Sequence, residues 1–149
     1  MRFKRLSRHG PSITVLALAA AAPVALAGPA TAAPQSAPLT WTFDKCSVAP
    51  GTWQGTAYGP TGVAEPLQTQ LTGSQRAGSV LQVEFDWHVG TTYLAQLSGV
   101  LNLNTGAVVM NGQVTEGQYA GSQVHEEGQL YDPANLCFAG TIQVMPASG

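Results

Sequence analysis

Residues 80–89 read VLQVEFDWHV. From Leu81 onward the side chains alternate: Leu81, Val83, Phe85, Trp87 and Val89 project to one side of an extended chain, Gln82, Glu84, Asp86 and His88 to the other. Such a period of two describes a strand with one face in a core and one in water. The bland assignment puts the aromatic row inside. The inverted assignment puts Glu84, Asp86 and His88 in a barrel lumen, where they could serve as acid–base groups, with Phe85 and Trp87 facing another subunit.

The same rhythm extends along the chain in both directions. Seven more segments read as strands between Gly, Pro, Asn or Asp punctuation: LTWTF (39–43), TWQGTAY (52–58), PLQTQLT (66–72), TYLAQLSGVLNL (92–103), AVVMNGQV (107–114), YAGSQVHEEGQL (119–130) and LCFAGTIQVM (136–145). The joins are short. NTG (104–106) supplies residues that tolerate positive φ in a hairpin, Pro133 in DPAN (132–135) presets a turn, and Gly90 serves the link HVGTT (88–92). Successive hairpins predict a single all-β domain, an antiparallel meander of eight strands.

The first 33 residues stand apart from this pattern. Arg2, Lys4, Arg5 and Arg8 precede an apolar run from Ile13 to Ala27, and an Ala- and Pro-rich stretch follows. That order describes a secretory signal peptide, with cleavage expected between Gly28 and Pro34. Pro23 interrupts the run, which argues against a membrane anchor because a span needs about 20 unbroken apolar residues. The expected organisation is a leader over 1–33 and a secreted (extracellular) barrel over 34–149, in the style of exported proteins of high-GC Gram-positive bacteria. Cleavage leaves Lys45 and Arg76 against eight acidic residues, a net charge of about −6. A negative chain with no basic cluster is a poor match for nucleic acid or an anionic membrane.

Cys46 and Cys137 lie near opposite ends of the barrel segment. Outside the cell such a pair reads as a disulfide closing a loop of about 90 residues, worth roughly 4–5 kcal/mol by chain entropy. Two widely spaced cysteines without local histidines do not make a zinc site. If the sheet closes into a barrel, the first and last strands become neighbours and the two cysteines meet. The rival arrangement is a two-sheet sandwich.

The chain has little catalytic vocabulary. HEEGQ (125–129) offers Gln129 where the zinc-protease motif requires a second histidine, and that motif needs a helix. A cross-strand metal site from His88, His125 and a glutamate is the remaining metal reading, and no metal is expected. There is no G-x-S-x-G elbow, P-loop or dinucleotide fingerprint, so any chemistry is expected to need no cofactor.

PGTWQG (50–55) resembles the G-x-W entrance of calycin barrels, the lipocalin and avidin group, through Gly51 and Trp53. In that group the tryptophan plugs the barrel end. The lipocalin pattern also stacks a late arginine on it, whereas no arginine follows Arg76 here. Trp53-Gln54-Gly55 and Phe138-Ala139-Gly140, as aromatic-x-Gly steps, resemble allene-oxide-cyclase and dirigent barrels. These resemblances imply an eight-stranded barrel around a small apolar molecule, and the second leaves a homo-oligomer open.

The expected function is therefore binding of a small apolar or aromatic molecule, with Trp53, Tyr93, Met110 and Phe138 as pocket residues drawn from different strands. A cofactor-free isomerase or cyclase and a structural or interaction protein of the cell envelope are the alternatives. The first of these needs an inward acid. Val124 and Leu130 share strand parity with Glu126 and Gly128, so an unbroken strand points Glu126 inward, with a raised pKa, as a candidate catalytic acid. A β-bulge at Gly121 or Gly128 would turn it out to solvent.

Overall fold

A computed structural model describes residues 37–147; the predicted leader and its cleavage site lie outside the described residues. Eight strands follow one another: β1 (Leu39–Ala49), β2 (Thr52–Tyr58), β3 (Ala64–Ala77), β4 (Val80–Val89), β5 (Tyr93–Asn102), β6 (Ala107–Gly117), β7 (Gln123–Asp132) and β8 (Cys137–Met145). Each pairs antiparallel with its neighbours in sequence, and β1 also pairs with β8, from Leu39↔Val144 to Lys45↔Phe138. The sheet is a closed barrel, and the sandwich is set aside. Closure leaves no open edge along the seam that an isolated meander would expose.

Cys46 and Cys137 form the disulfide. The two residues stand one step beyond the Lys45↔Phe138 pair, so the bond clips the β1–β8 seam at the end of its ladder. It spans 91 residues of sequence.

Only β2 and β4 end where the sequence reading placed them; β3 runs from Ala64 to Ala77 rather than over 66–72, and two further differences bear on the site. β1 continues past Phe43 to Ala49, bending only near its end, where the register shifts between Ser47 and Ala49. β7 begins at Gln123 rather than Tyr119, because Gly117 and Gly121 take φ of 93° and 87° and carry the chain through a turn. Side chains rarely tolerate that backbone region, which is why glycine sits there.

β4 settles which row faces inward. Val83, Phe85, Trp87 and Val89 are buried, whereas Gln82, Glu84 and His88 are exposed. The inverted assignment is corrected: Glu84, Asp86 and His88 lie on the outer row and do not reach the lumen.

The inner surface divides between the two barrel ends. One end carries the β2–β3, β4–β5 and β6–β7 connections. There Trp41, Trp87, Val89, Tyr93, Val124 and Val144 fill the lumen, each no more than 3% exposed. Trp41 meets Tyr93 edge to face at 5.6 Å, and Tyr93 meets Tyr119 at 6.1 Å. The other end carries the β1–β2, β3–β4, β5–β6 and β7–β8 connections, and its interior is open.

Candidate functional site

The open half is a cavity of about 290 Å³. Trp53 from β2, Leu71 from β3, Leu81, Val83 and Phe85 from β4, and Leu101 from β5 make one side of its wall. Val108 and Met110 from β6 and Phe138 from β8 make the other, and Leu103 and Leu136 stand at the rim. Two ionisable side chains line the same space: Lys45 from β1 and Glu126 from β7. An apolar chamber holding a few convergent polar groups is the usual form of a small-molecule site.

Lys45 reaches this position because its strand keeps alternating. Trp41, Phe43 and Lys45 share one parity, and all three are buried. On the inner face of β2, Gly55 stands opposite Lys45, and a Cβ there would collide with the β1 backbone at Asp44 and Lys45. The ammonium lies 3.7 Å from the centre of the Trp87 ring and 5.2 and 5.3 Å from those of Phe85 and Phe43. Aromatic faces attract a cation at such distances. They compensate only part of the lost hydration. Burial pulls the Lys45 pKa down to about 8, against an opposing pull from the charge of Glu126.

Glu126 is 1% exposed. The register of β7 with both neighbours runs without a shift from Gln123 to Gln129, so no bulge intervenes and the carboxyl points inward. Gly128, the next inward residue, leaves room: a Cβ there would come within 3.3 Å of Phe43 Cζ and 3.5 Å of Glu126 Oε1. Glu126 Oε2 is buried with no hydrogen-bond partner. Desolvation raises the Glu126 pKa to about 7, while Lys45 and then His125 pull it the other way. Among the described residues the ion pair within 4.0 Å is His125–Glu127, so Lys45 and Glu126 attract each other across a gap.

The mouth is held in shape by the β7–β8 turn. The Asp132 carboxylate accepts hydrogen bonds from the backbone N–H groups of Ala134 (3.0 Å) and Asn135 (3.3 Å) and from Asn135 Nδ2 (2.7 Å). Leu136 follows with φ of 50°, a left-handed conformation that costs a side-chain-bearing residue roughly 1–2 kcal/mol. Its carbonyl accepts the indole N–H of Trp53 at 3.0 Å. Leu103 and Leu136 are 41% and 44% exposed, which gives the chamber an apolar lip.

Of the four pocket residues expected from sequence, the structure brings Trp53, Met110 and Phe138 to the wall. Tyr93 is corrected. It sits 2% exposed in the filled half, away from the cavity lining, where burial and then Glu65 and Glu126 hold its phenol above the usual range. Trp53 lines the wall of the open half, and the rings that fill a barrel end are Trp41, Trp87 and Tyr93 in the other half. His88 and His125 face outward on β4 and β7 and are not brought together. His125 Nδ1 lies 2.8 Å from Asn111 Oδ1, and its Nε2 lies 3.1 Å from Glu127 Oε1. Among the described residues no three His, Cys, Asp or Glu side chains gather as metal ligands.

Lys45 is the cavity residue that sequence reading missed. Ending the first strand at Phe43 left Lys45 in a loop. The signal was its parity with Trp41 and Phe43, in a chain with only one other basic residue after position 33.

Fold and site together define a small closed antiparallel barrel, filled at one end and hollow at the other, with an amine and a carboxyl at the base of the hollow. No protein-family model matches the chain, and no curated protein is significantly similar to it.

Proposed function

We propose that this is a secreted barrel protein that holds a small apolar or aromatic molecule in the hollow half, with an oxygen acceptor of that molecule at the base. The observation that carries the reading is the pairing of an almost wholly apolar wall with Lys45 and Glu126 beneath it. Near neutral pH a lysine ammonium and a protonated carboxyl are both hydrogen-bond donors, and the protein supplies Glu126 Oε2 with no partner. A carbonyl or ether oxygen would meet that need. The chamber has about twice the ~150 Å³ of an engineered apolar void that accepts benzene, so a bicyclic or short-chain molecule matches its size. Export is supported by the leader-like first 33 residues, and the disulfide is compatible with an oxidising compartment.

A second reading is a cofactor-free isomerase or cyclase of the allene-oxide-cyclase or dirigent type. Its support is Glu126, a carboxyl that exchanges its proton near neutrality while facing an apolar chamber. A calycin-like carrier differs from it in requiring no proton transfer. A purely structural envelope role draws no support from the hollow half.

The test is native mass spectrometry of the protein recovered from its producing cells, joined to fluorescence titration with 2-acetonaphthone. Binding should alter Trp53 emission, and Trp53→Phe should remove that response while leaving the emission of Trp41 and Trp87. No co-purifying molecule and no ketone-dependent change would overturn the proposal.

A further inference from the structure

We infer that Lys45 is a carbonyl-capturing nucleophile: the cavity takes apolar aldehydes or reactive ketones and holds them as an imine on the Lys45 amine. This rests on the reading of the cavity as an apolar-ligand site and specifies the chemical class of the ligand.

Three features of the geometry point there. The amine is at the base of a chamber whose walls are apolar, so a carbonyl carbon carried by an apolar body is delivered to it. Lys45 has no hydrogen-bonded acceptor among the described residues, and its ammonium rests on the faces of Trp87, Phe85 and Phe43, which neither accept its proton permanently nor block a lone pair once the proton has left. An acid stands in the same chamber: Glu126 is 1% exposed, lines the cavity and has an unpartnered Oε2. Desolvation of the amine acts in the same direction, since it leaves more free base near neutral pH than an exposed lysine has.

The reaction balances without an oxidant or reductant. The Lys45 nitrogen lone pair forms the C–N bond to the carbonyl carbon, and the carbonyl π pair moves to oxygen. A proton leaves nitrogen and another leaves the Glu126 carboxyl, and both end on that oxygen. The C–O bond breaks, water departs, and the nitrogen closes the C=N bond. The products are a protonated imine on Lys45, one water and the Glu126 carboxylate. The carboxylate then faces the iminium as its counter-ion. The apolar wall keeps bulk water from reversing the step at the rate of an exposed imine.

The chain makes the test clean, because Lys45 is the sole lysine after Lys4. The protein is incubated with 2-naphthaldehyde and sodium cyanoborohydride, then digested and mapped. The alcohol 2-naphthalenemethanol, which cannot form an imine, serves as the non-covalent control and is followed through Trp53 emission. The expected result is one reduced adduct per chain, mapped to Lys45 and formed at least tenfold faster than any adduct on the terminal amine. Lys45→Arg should abolish it, and Glu126→Gln should slow it by tenfold or more. No adduct at Lys45, whether or not the terminal amine reacts, with the alcohol still bound, would overturn the imine and leave the binding reading intact. Neither adduct nor alcohol binding would overturn both. Should Lys45→Arg fail to fold, adduct location in the unmodified protein still decides the matter.

Discussion

The two halves of the barrel are built from the same alternating strands and the same apolar inner row, yet one is solid and the other is hollow. The filled half stacks rings from three strands in successive layers, Trp41 against Tyr93 at 5.6 Å and Trp87 against Phe43 at 5.1 Å, and these take up the lumen. The hollow half offers Leu71, Leu81, Leu101 and Val108 instead, which reach less far inward from the same wall. Its larger rings stay at the side: Trp53 packs edge-on to Phe85 at 5.3 Å and to Phe138 at 6.4 Å, and is tied to the rim through Leu136. Lumen volume in a barrel of fixed strand number is thus decided by where the large side chains lie along the strands. Lys45 and Glu126 mark the boundary, where a charged group can touch apolar packing below and open space above.

Truncations in the two halves should cost unequal amounts. Trp87→Ala removes a ring that is 1% exposed and supports the Lys45 ammonium, so it should cost about 3–5 kcal/mol. Leu101→Ala, on the wall of an existing void, should cost only about 1 kcal/mol because little further contact is lost. Urea unfolding of both variants measures the difference, and equal costs would mean that the two halves are packed alike.

The disulfide tests the seam beside the hollow half. The double variant Cys46→Ala/Cys137→Ala should lose about 2–4 kcal/mol in thermal or denaturant unfolding. Alkylation of native protein should find no free thiol at either position. If the seam opens at that end, ligand binding by the hollow half should weaken while the core around Trp41 and Tyr93 keeps its near-ultraviolet signal.

The boundary pair gives a pH signature. The Glu126 pKa is raised on folding from 4.5 to about 7, so its contribution is complete below about 4.5 and is lost as pH rises through 7. The Lys45 pKa is lowered from 10.5 to about 8, so its contribution is complete above about 10.5 and is lost as pH falls through 8. Stability should therefore dip between about pH 7 and 8, each limb spanning at most about 3 kcal/mol. Glu126→Gln should flatten the acid limb and Lys45→Met the alkaline one. Unfolding free energies measured from pH 4 to 10 would refute the assignment if the wild type showed no dip.

The smallest effect is expected on the outer face of the barrel. His125→Ala deletes a ring whose side chain is 29% exposed and whose partner Glu127 is 68% exposed. Its stability should change by no more than about 0.5 kcal/mol, because solvent screens such a pair. A larger loss by calorimetry would show that the outer row carries weight that the comparison gives to the inner one.

Neighbouring residues explain why some of this was legible in sequence. Trp87 and Val89 declare their face through Asp86 and His88, which alternate with them, and Glu126 does the same through Val124 and Gly128. Tyr93 was misplaced because parity reports the face of a strand and says nothing of the level along the barrel axis. Met110 and Tyr93 both point inward, but one meets open space and the other meets Trp41. The reading of Lys45 failed for a different reason: the end of β1 has no Gly or Pro mark until Pro50, so its extent depended on pairing with β2 and β8.

By itself, then, the sequence determined the quantities that are local. Alternation within ten residues specifies a strand and its two faces, and glycine at positive φ specifies where a turn falls. The cysteine pair, read as a disulfide, specifies which ends must meet. Only the tertiary structure decided what stands across the lumen from what. Lys45 and Glu126 come from strands far apart in the chain, and no local preference encodes their approach. It follows from closure of eight strands in one register, which sets the level of every inward side chain and leaves one half of the barrel without a ring to fill it.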